Sequence, residues 1–251
     1  MIVFITGATA GFGLATARRF IQTGHRVIAT GRRTDRLDAL KAEFGAVVLT
    51  LEFDVRDRQS VSKAVESLPA DWAIVDVLVN NAGLALGLDP AQRADLDDWD
   101  TMIDTNVKGL VYCTRAILPG MVARNRGHIV NLGSIAADFP YPGGNVYGAT
   151  KAFVQQFSLN LRADLFGTAI RVTDIEPGLC GGTEFSDVRF KGDHDRAAAM
   201  YANTQPIMPN DIAETVEWVV SRPAHININI VSMMPVVQSF SPLAVHRVKP
   251  D

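Results

Sequence analysis

The sequence predicts an α/β fold: a single doubly wound parallel sheet of about seven strands, Rossmann-like, with helices on both faces. Three observations carry this. Short apolar runs of strand length alternate with longer stretches of helical period along most of the chain. The runs are rich in Val, Ile and Leu, which suits strands covered on both faces. The first run ends at Gly7 in a glycine-bearing turn that leads straight into a helical pattern.

In chain order, strands are predicted over 2–5, 26–30, 47–53, 77–79, 128–132 and 169–175. The helices between them are predicted over 12–22, 35–44, 58–68, 97–124 and 146–166, several opened by Asp and closed near Gly. A seventh strand is predicted at 226–230, where Ile-Asn-Ile-Asn-Ile alternates as an edge strand does, with one face buried and one facing something polar. Pro206, Pro209 and Pro223 break the last quarter into short pieces, and 184–203 is polar and weakly helical. The expectation is one domain over 1–251 with a mobile substrate segment around 184–209.

Of the 251 residues 47% are hydrophobic and 20% charged, enough to bury a large core and unlike a disordered chain. Twenty-four Lys and Arg against 27 Asp and Glu leave a net charge of -3, with no long run of like charge. That excludes the electrostatic footprint of a nucleic-acid binder and favours a small-molecule partner. Residues 1–7 have neither the charged start nor the length of a signal peptide or membrane span, so no membrane association and a cytoplasmic location are expected. Cys113 and Cys180 lie far apart, which fits a reducing compartment and suggests neither a disulfide framework nor a metal site.

Thr6-Gly7-Ala8-Thr9-Ala10-Gly11-Phe12-Gly13 joins the first strand to the first helix. Glycines there permit a tight reversal, let backbone approach a pyrophosphate and allow close helix-to-strand packing, while N–H groups at the helix start stabilise the anion. The spacing is G-x-x-x-G-x-G, one residue wider than the common G-x-G-x-x-G. The second strand ends in Thr30-Gly31-Arg32-Arg33, with no acid for a ribose 2′-hydroxyl and two guanidinium groups suited to a 2′-phosphate. NADP is favoured over NAD; solvated arginines ahead of a helix are the plainer alternative.

Tyr147 and Lys151, four residues apart at a helix start, project from one face about one turn apart. A fixed ammonium beside a phenol lowers its pKa from about 10 and readies it for proton exchange near neutrality. The same spacing also describes an ordinary surface pair. Ser134 follows the strand at 128–132, at the edge where open α/β sheets bind ligands. Asn80-Asn81-Ala82-Gly83 ends the fourth strand and Asn106 lies in the long helical stretch, both bordering the same crevice; a mid-helix Asn is otherwise solvated or backbone-bonded.

Taken together and in order, Thr6-Gly7-x-x-x-Gly11-x-Gly13, Asp54, Asn80-Asn81-Ala82-Gly83, Asn106, Ser134, Tyr147-x-x-x-Lys151 and Pro177-Gly178 resemble the short-chain dehydrogenase/reductase family over nearly the whole chain. The resemblance implies NADP held by Thr6, Gly7, Gly11, Phe12, Gly13, Arg32, Arg33, Asp54, Val55, Asn81, Ala82, Gly83, Tyr147, Lys151, Pro177 and Gly178, with Asp54 meeting the adenine. It implies that Tyr147 is the general acid/base, Ser134 orients the substrate oxygen, Lys151 binds the nicotinamide ribose and tunes Tyr147, and Asn106 anchors a proton-relay water. It also implies a homotetramer.

Residues 149–153, 174–178 and 181–190 are similar to those of bacterial NADP-dependent 3-hydroxy acid dehydrogenases, also described as serine or allo-threonine dehydrogenases and malonic semialdehyde reductases. The run from Pro177-Gly178 to Thr183 is a residue longer than is usual in the family, and Met233-Met234-Pro235 stands where Asp-Gly-Gly is often found. The loop over the nicotinamide and the end-strand interface are therefore expected to differ. The implied reaction is hydride transfer between nicotinamide and the 3-position of a small 3-hydroxy acid. A buried substrate carboxylate needs a cation, and Arg189 is preferred to Lys191 because guanidinium binds carboxylate with two parallel hydrogen bonds. The alternatives are a reductase of 3-oxoacyl thioesters, ketones or aldehydes, and a non-catalytic NADP-sensing regulator. The presence of Ser134, Tyr147 and Lys151 together argues against the latter.

Overall fold

Uniformly apolar runs form strands buried along their whole length, as at β1 (Ile2–Ile5), because helices on both sides receive their side chains. The computed structural model describes residues 1–240, so the predicted domain end at 251 lies outside the described residues. After β1 the chain forms α1 (Gly11–Gln22), β2 (Arg26–Gly31), α2 (Thr34–Phe44), β3 (Val48–Glu52), α3 (Arg58–Glu66) and β4 (Val77–Asn80). It continues through α4 (Leu96–Ile103), α5 (Leu110–Ala123), β5 (Gly127–Leu132), α6 (Asn145–Asp164) and β6 (Ile170–Pro177). The last part holds α7 (Phe185–Arg189), α8 (His194–Ala199), α9 (Pro209–Val220) and β7 (Ile230–Met233).

The sheet order is β3-β2-β1-β4-β5-β6-β7, and every pairing is parallel. Chain order reverses between β1 and β4, which leaves a crevice at the carboxyl ends of the strands. Alternation along the strands divides the core in two. Val3, Ile5, Val79 and Ile175 meet Ala17 and Phe20 of α1 and Ile212 and Val216 of α9 on one face. Phe4, Leu78, Ile129 and Val172 meet Cys113 and Ile117 of α5 and Leu161 of α6 on the other.

Two predicted elements depart from the sequence reading, and α9 stands where no helix was predicted. The helix predicted at 97–124 is α4 and α5 joined by a π-helical segment, Asp104–Gly109. Asn106 sits in that segment, where its amide is drawn out of the regular helix to bond backbone of the neighbouring loop. The seventh strand is at the sheet edge but begins at Ile230, not at 226. Asn227 explains the shift: its Oδ1 accepts from the Val172 N–H at 2.7 Å and its Nδ2 donates to the Val172 carbonyl at 2.9 Å. A side chain thus occupies the ladder position that backbone fills three residues later. The isoleucines also fail to form a buried face, since Ile226 and Ile230 are exposed and only Ile228 packs on the core.

Candidate active site

A cavity of about 570 Å³ opens at the carboxyl edge of the sheet. It is lined by Gly7, Gly11, Phe12, Arg32, Arg33, Asp54, Val55, Asn81, Ala82, Gly83, Ser134, Tyr147, Lys151, Pro177, Gly178 and Arg189. Thr6, Gly13 and Asn106 stand behind that lining and support it. Thr6 Oγ1 accepts from the N–H groups of Asn81 (3.0 Å) and Ala82 (2.9 Å), pinning the end of β1 to the end of β4. Gly7 has φ +67°, and a Cβ on Gly13 would fall 2.5 Å from Asn81 Nδ2. Glycine is needed at both positions, one for backbone sign and one for space.

The residues fit a dinucleotide carrying a 2′-phosphate. No side chain caps the start of α1, so its first N–H groups are left for an anion. Arg32 has a side chain 62% exposed and only a loose 3.7 Å pairing with Asp54. Arg33 donates from Nε and Nη2 to Thr9 Oγ1 at 3.2 and 3.0 Å, and from Nη1 to Glu184 Oε2 at 2.8 Å. Arg36 donates to the other Glu184 oxygen at 2.7 Å. Hydrogen bonds from Arg36 and then Arg33 hold the Glu184 carboxyl below the usual carboxylate range. Burial works to raise Asp54, but the Arg56 fork, donating at 2.9 and 2.7 Å, outweighs it and leaves that carboxyl low.

Tyr147 and Lys151 share a face of α6, as their spacing requires, and both are buried. The Tyr147 ring is edge-on to Phe185, with the Arg189 guanidinium 5.6 Å and Lys151 Nζ 5.9 Å from its centroid. Burial pushes the Tyr147 phenol up to about 12, while the Ser134 hydroxyl and the Arg189 charge pull the other way. Desolvation thus exceeds what nearby charge returns to the phenol. Burial lowers Lys151 as well, with Asp174 opposing. Its Nζ donates to the Leu132 carbonyl at 2.7 Å, which fixes the side chain under the cavity.

Ser134 Oγ accepts from the Ala136 N–H at 3.1 Å. The Asn106 amide is fully engaged: Oδ1 accepts from the Leu84 N–H (2.9 Å), and Nδ2 donates to the Leu84 carbonyl (2.8 Å) and Thr150 Oγ1 (3.0 Å). Its side chain thereby braces the loop after β4. Arg189 is buried, donating from Nε to the Gly87 carbonyl (3.2 Å) and from Nη2 to the Tyr141 hydroxyl (2.7 Å). No carboxylate among the described residues pairs with it, which leaves guanidinium donors for a ligand inside the cavity. The segment expected to be weakly helical supplies Phe185 and Arg189 from α7, with Met200 and Tyr201 beyond α8.

Sequence reasoning missed Thr9, Arg36, Glu184 and Tyr141. Arg36 was signalled by standing one turn beyond Arg32 and Arg33, and Glu184 by following Thr183 directly. Nothing in the sequence marks Tyr141 as the partner of Arg189. Among the described residues there is no group of His, Cys, Asp and Glu suited to a metal ion.

The pattern of the short chain dehydrogenase family matches residues 1–193. Over 247 residues, 98% of this chain and all of the relative, the sequence is 67% identical to an NADP-dependent 3-hydroxy acid dehydrogenase of Salmonella typhi. It is 51% identical over 245 residues to a serine 3-dehydrogenase of Rhizobium radiobacter, covering 98% of each chain. Among solved structures, a closed form of serine dehydrogenase complexed with NADP+ superposes with a TM-score of 0.98 at 63% identity, covering 99% of this chain and all of the other.

Proposed function

Because this chain belongs to the short chain dehydrogenase family, we propose that it is an NADP-dependent oxidoreductase moving a hydride between nicotinamide and the 3-position of small 3-hydroxy acids. The relatives named for that activity and for serine oxidation span essentially the whole chain. The observation that carries the substrate class is Arg189, a buried guanidinium beside the Tyr147 ring with no acidic partner among the described residues. A substrate carboxylate supplies the charge such a site needs.

The glycine turn, the start of α1, Arg32 and Arg33 would hold the cofactor's phosphates, and Asp54 with Val55 would border the adenine. When bound, the nicotinamide supplies the hydride chemistry. Tyr147 takes the proton of the substrate hydroxyl in oxidation and returns it in reduction. Ser134 hydrogen-bonds the same oxygen, and Lys151 places positive charge beneath the phenol and reaches the ribose. Asn106 acts by holding Leu84 and Thr150 in place.

The proposal extends to malonic semialdehyde, the carbonyl partner of 3-hydroxypropionate, as a substrate for reduction. It extends to one catalytic domain whose 184–209 segment moves over the cavity, and to a cytoplasmic location, supported by two free cysteines. No helix among the described residues is long and apolar enough to cross a membrane. Exposed Phe153, stacked on Phe157 at 5.7 Å, and exposed Trp218 support a homotetramer.

Steady-state kinetics of L-serine and 3-hydroxypropionate against neutral alcohols of equal size test the reading. The acids are expected to be preferred, and Arg189→Ala to lower kcat/KM for acids by about 10²-fold with little change for neutral alcohols. Equal kcat/KM for acid and neutral compounds, or a preference for thioesters, overturns the substrate class.

A further inference from the structure

α7 ends at Arg189, whose buried side chain lines the cavity. Beyond the helix end, Asp95 and Asp98 pair with Lys191, at 3.5 and 2.9 Å. The Arg189 guanidinium is held by two neutral acceptors instead. Gly87 and Arg189 exchange hydrogen bonds: the Gly87 N–H donates to the Arg189 carbonyl at 2.9 Å, and the Gly87 carbonyl accepts from Nε at 3.2 Å. The Tyr141 hydroxyl accepts from Nη2 at 2.7 Å.

The two acceptors stand on loops fastened to each other. Asn145 Nδ2 donates to the Asp89 carbonyl at 3.0 Å, and a Cβ on Gly143 would overlap the Leu88 carbonyl. The Tyr141 carbonyl in turn accepts from the Gly144 N–H at 2.9 Å. A guanidinium can present a carboxylate with a side edge, Nε with Nη2, or an end edge, Nη1 with Nη2. Gly87 takes Nε and so closes the side edge. Nη1 makes no hydrogen bond among the described residues, which leaves the end edge for a ligand. The guanidinium lies 5.5 Å from the Tyr141 ring centroid and 5.6 Å from that of Tyr147, so this donor edge borders the phenol assigned to proton transfer.

We propose that Tyr141 is a positioning residue that sets the preference for acids: its hydroxyl fixes the Arg189 fork for a substrate carboxylate while leaving the guanidinium charge uncancelled. A carboxylate in place of that hydroxyl would hold the fork as firmly, but it would neutralise the charge and compete with the substrate. A phenylalanine would keep the ring and leave the fork free to turn about the Nε–Cζ bond. The effect on specificity rests on the carboxylate reading of Arg189, whereas the fixing of the fork does not.

The fork is followed by NMR of the whole protein labelled with ¹⁵N-arginine, the Arg189 Nη signals being assigned by their loss in Arg189→Ala. Exchange of Nη1 with Nη2 is expected to be slow in the wild type and about tenfold faster in Tyr141→Phe, as for the loss of one hydrogen bond to a charged group. In steady-state oxidation with NADP+, the ratio of kcat/KM for 3-hydroxypropionate to that for its neutral isostere 3-hydroxypropionamide is expected to fall about tenfold in Tyr141→Phe, mainly through a higher KM for the acid. In an Arg189→Ala background the same substitution is expected to leave that ratio where it is, because no fork remains to be held. Equal exchange rates in the wild type and Tyr141→Phe overturn the proposal. So does a ratio that falls as far without Arg189 as with it, which makes the hydroxyl a direct substrate contact. Where the wild type prefers the acid, a ratio unmoved by Tyr141→Phe overturns it too. Faster exchange in Tyr141→Phe with no acid preference in the wild type supports the fixing of the fork and overturns the carboxylate reading of Arg189 instead.

Discussion

Tyr147 shows how far a single residue is read from sequence. Its place one turn from Lys151 and its shared cavity with Ser134 follow from a four-residue spacing and a strand end. Its acidity does not, because desolvation depends on Phe185 and Arg189, which come from a distant segment. With burial pushing the phenol up to about 12, the phenolate fraction at neutral pH is small and grows with pH, so alcohol oxidation is expected to accelerate towards alkaline pH. Ser134 opposes the rise, and Ser134→Ala is expected to move the acid limb of kcat further alkaline. Tyr147→Phe is expected to keep NADP binding by fluorescence titration while losing about 10²–10⁴-fold in kcat. Substantial turnover in Tyr147→Phe removes this residue from the chemistry. Asn106 illustrates the opposite limit: the sequence placed it at the crevice but did not reveal that both ends of its amide serve Leu84 and Thr150.

At the scale of elements, buried strands were legible because each carries a short run rich in Val, Ile and Leu with turn residues beside it, and β1 matches its predicted bounds. β7 was not, because Asn227 substitutes its amide for a backbone pair, an event with no periodic signature. The short α7 was equally hidden, since five residues give too little period to see. Its placement depends on Glu184, which stands immediately before α7 and bridges Arg33 and Arg36 at 2.8 and 2.7 Å. These groups are roughly 40% exposed, so each pair is discounted to about 0.2–1 kcal/mol. Glu184→Gln is expected to ease opening of α7 and α8 by about 1 kcal/mol, which is about fivefold faster proteolysis within 184–203 when cleavage follows the open population. The main thermal transition is expected to stay in place. High salt is expected to bring the wild type to the same rate, and cleavage that ignores both changes excludes the bridge as the fastening.

For the whole molecule, the apolar runs alternating with helices implied a parallel sheet, but not its order. That order depends on which buried faces meet, and it puts β5 at the interior with His128 on it, 2% exposed. Thr173 Oγ1 donates to the Ile228 carbonyl at 2.7 Å, so the His128 Nε2 at 2.8 Å is the donor of its pair with Thr173. Nδ1 then carries the lone pair and has no partner among the described residues, which suits a neutral imidazole and leaves an imidazolium unsolvated. Burial, with a smaller contribution from Arg171, takes the folded pKa from 6.5 down to about 3. The unfolded chain binds this proton below about 6.5 and the fold does not, so the stability is intact above that pH and is lost as pH falls towards 3. At pH 5 the loss is about 2 kcal/mol, at 1.36 kcal/mol per pH unit. His128→Val removes the titration while keeping an apolar strand residue. Denaturant unfolding at pH 7 and pH 5 is expected to show a wild-type loss about 2 kcal/mol larger than the variant's. Equal losses in the two proteins place the acid sensitivity of the fold elsewhere.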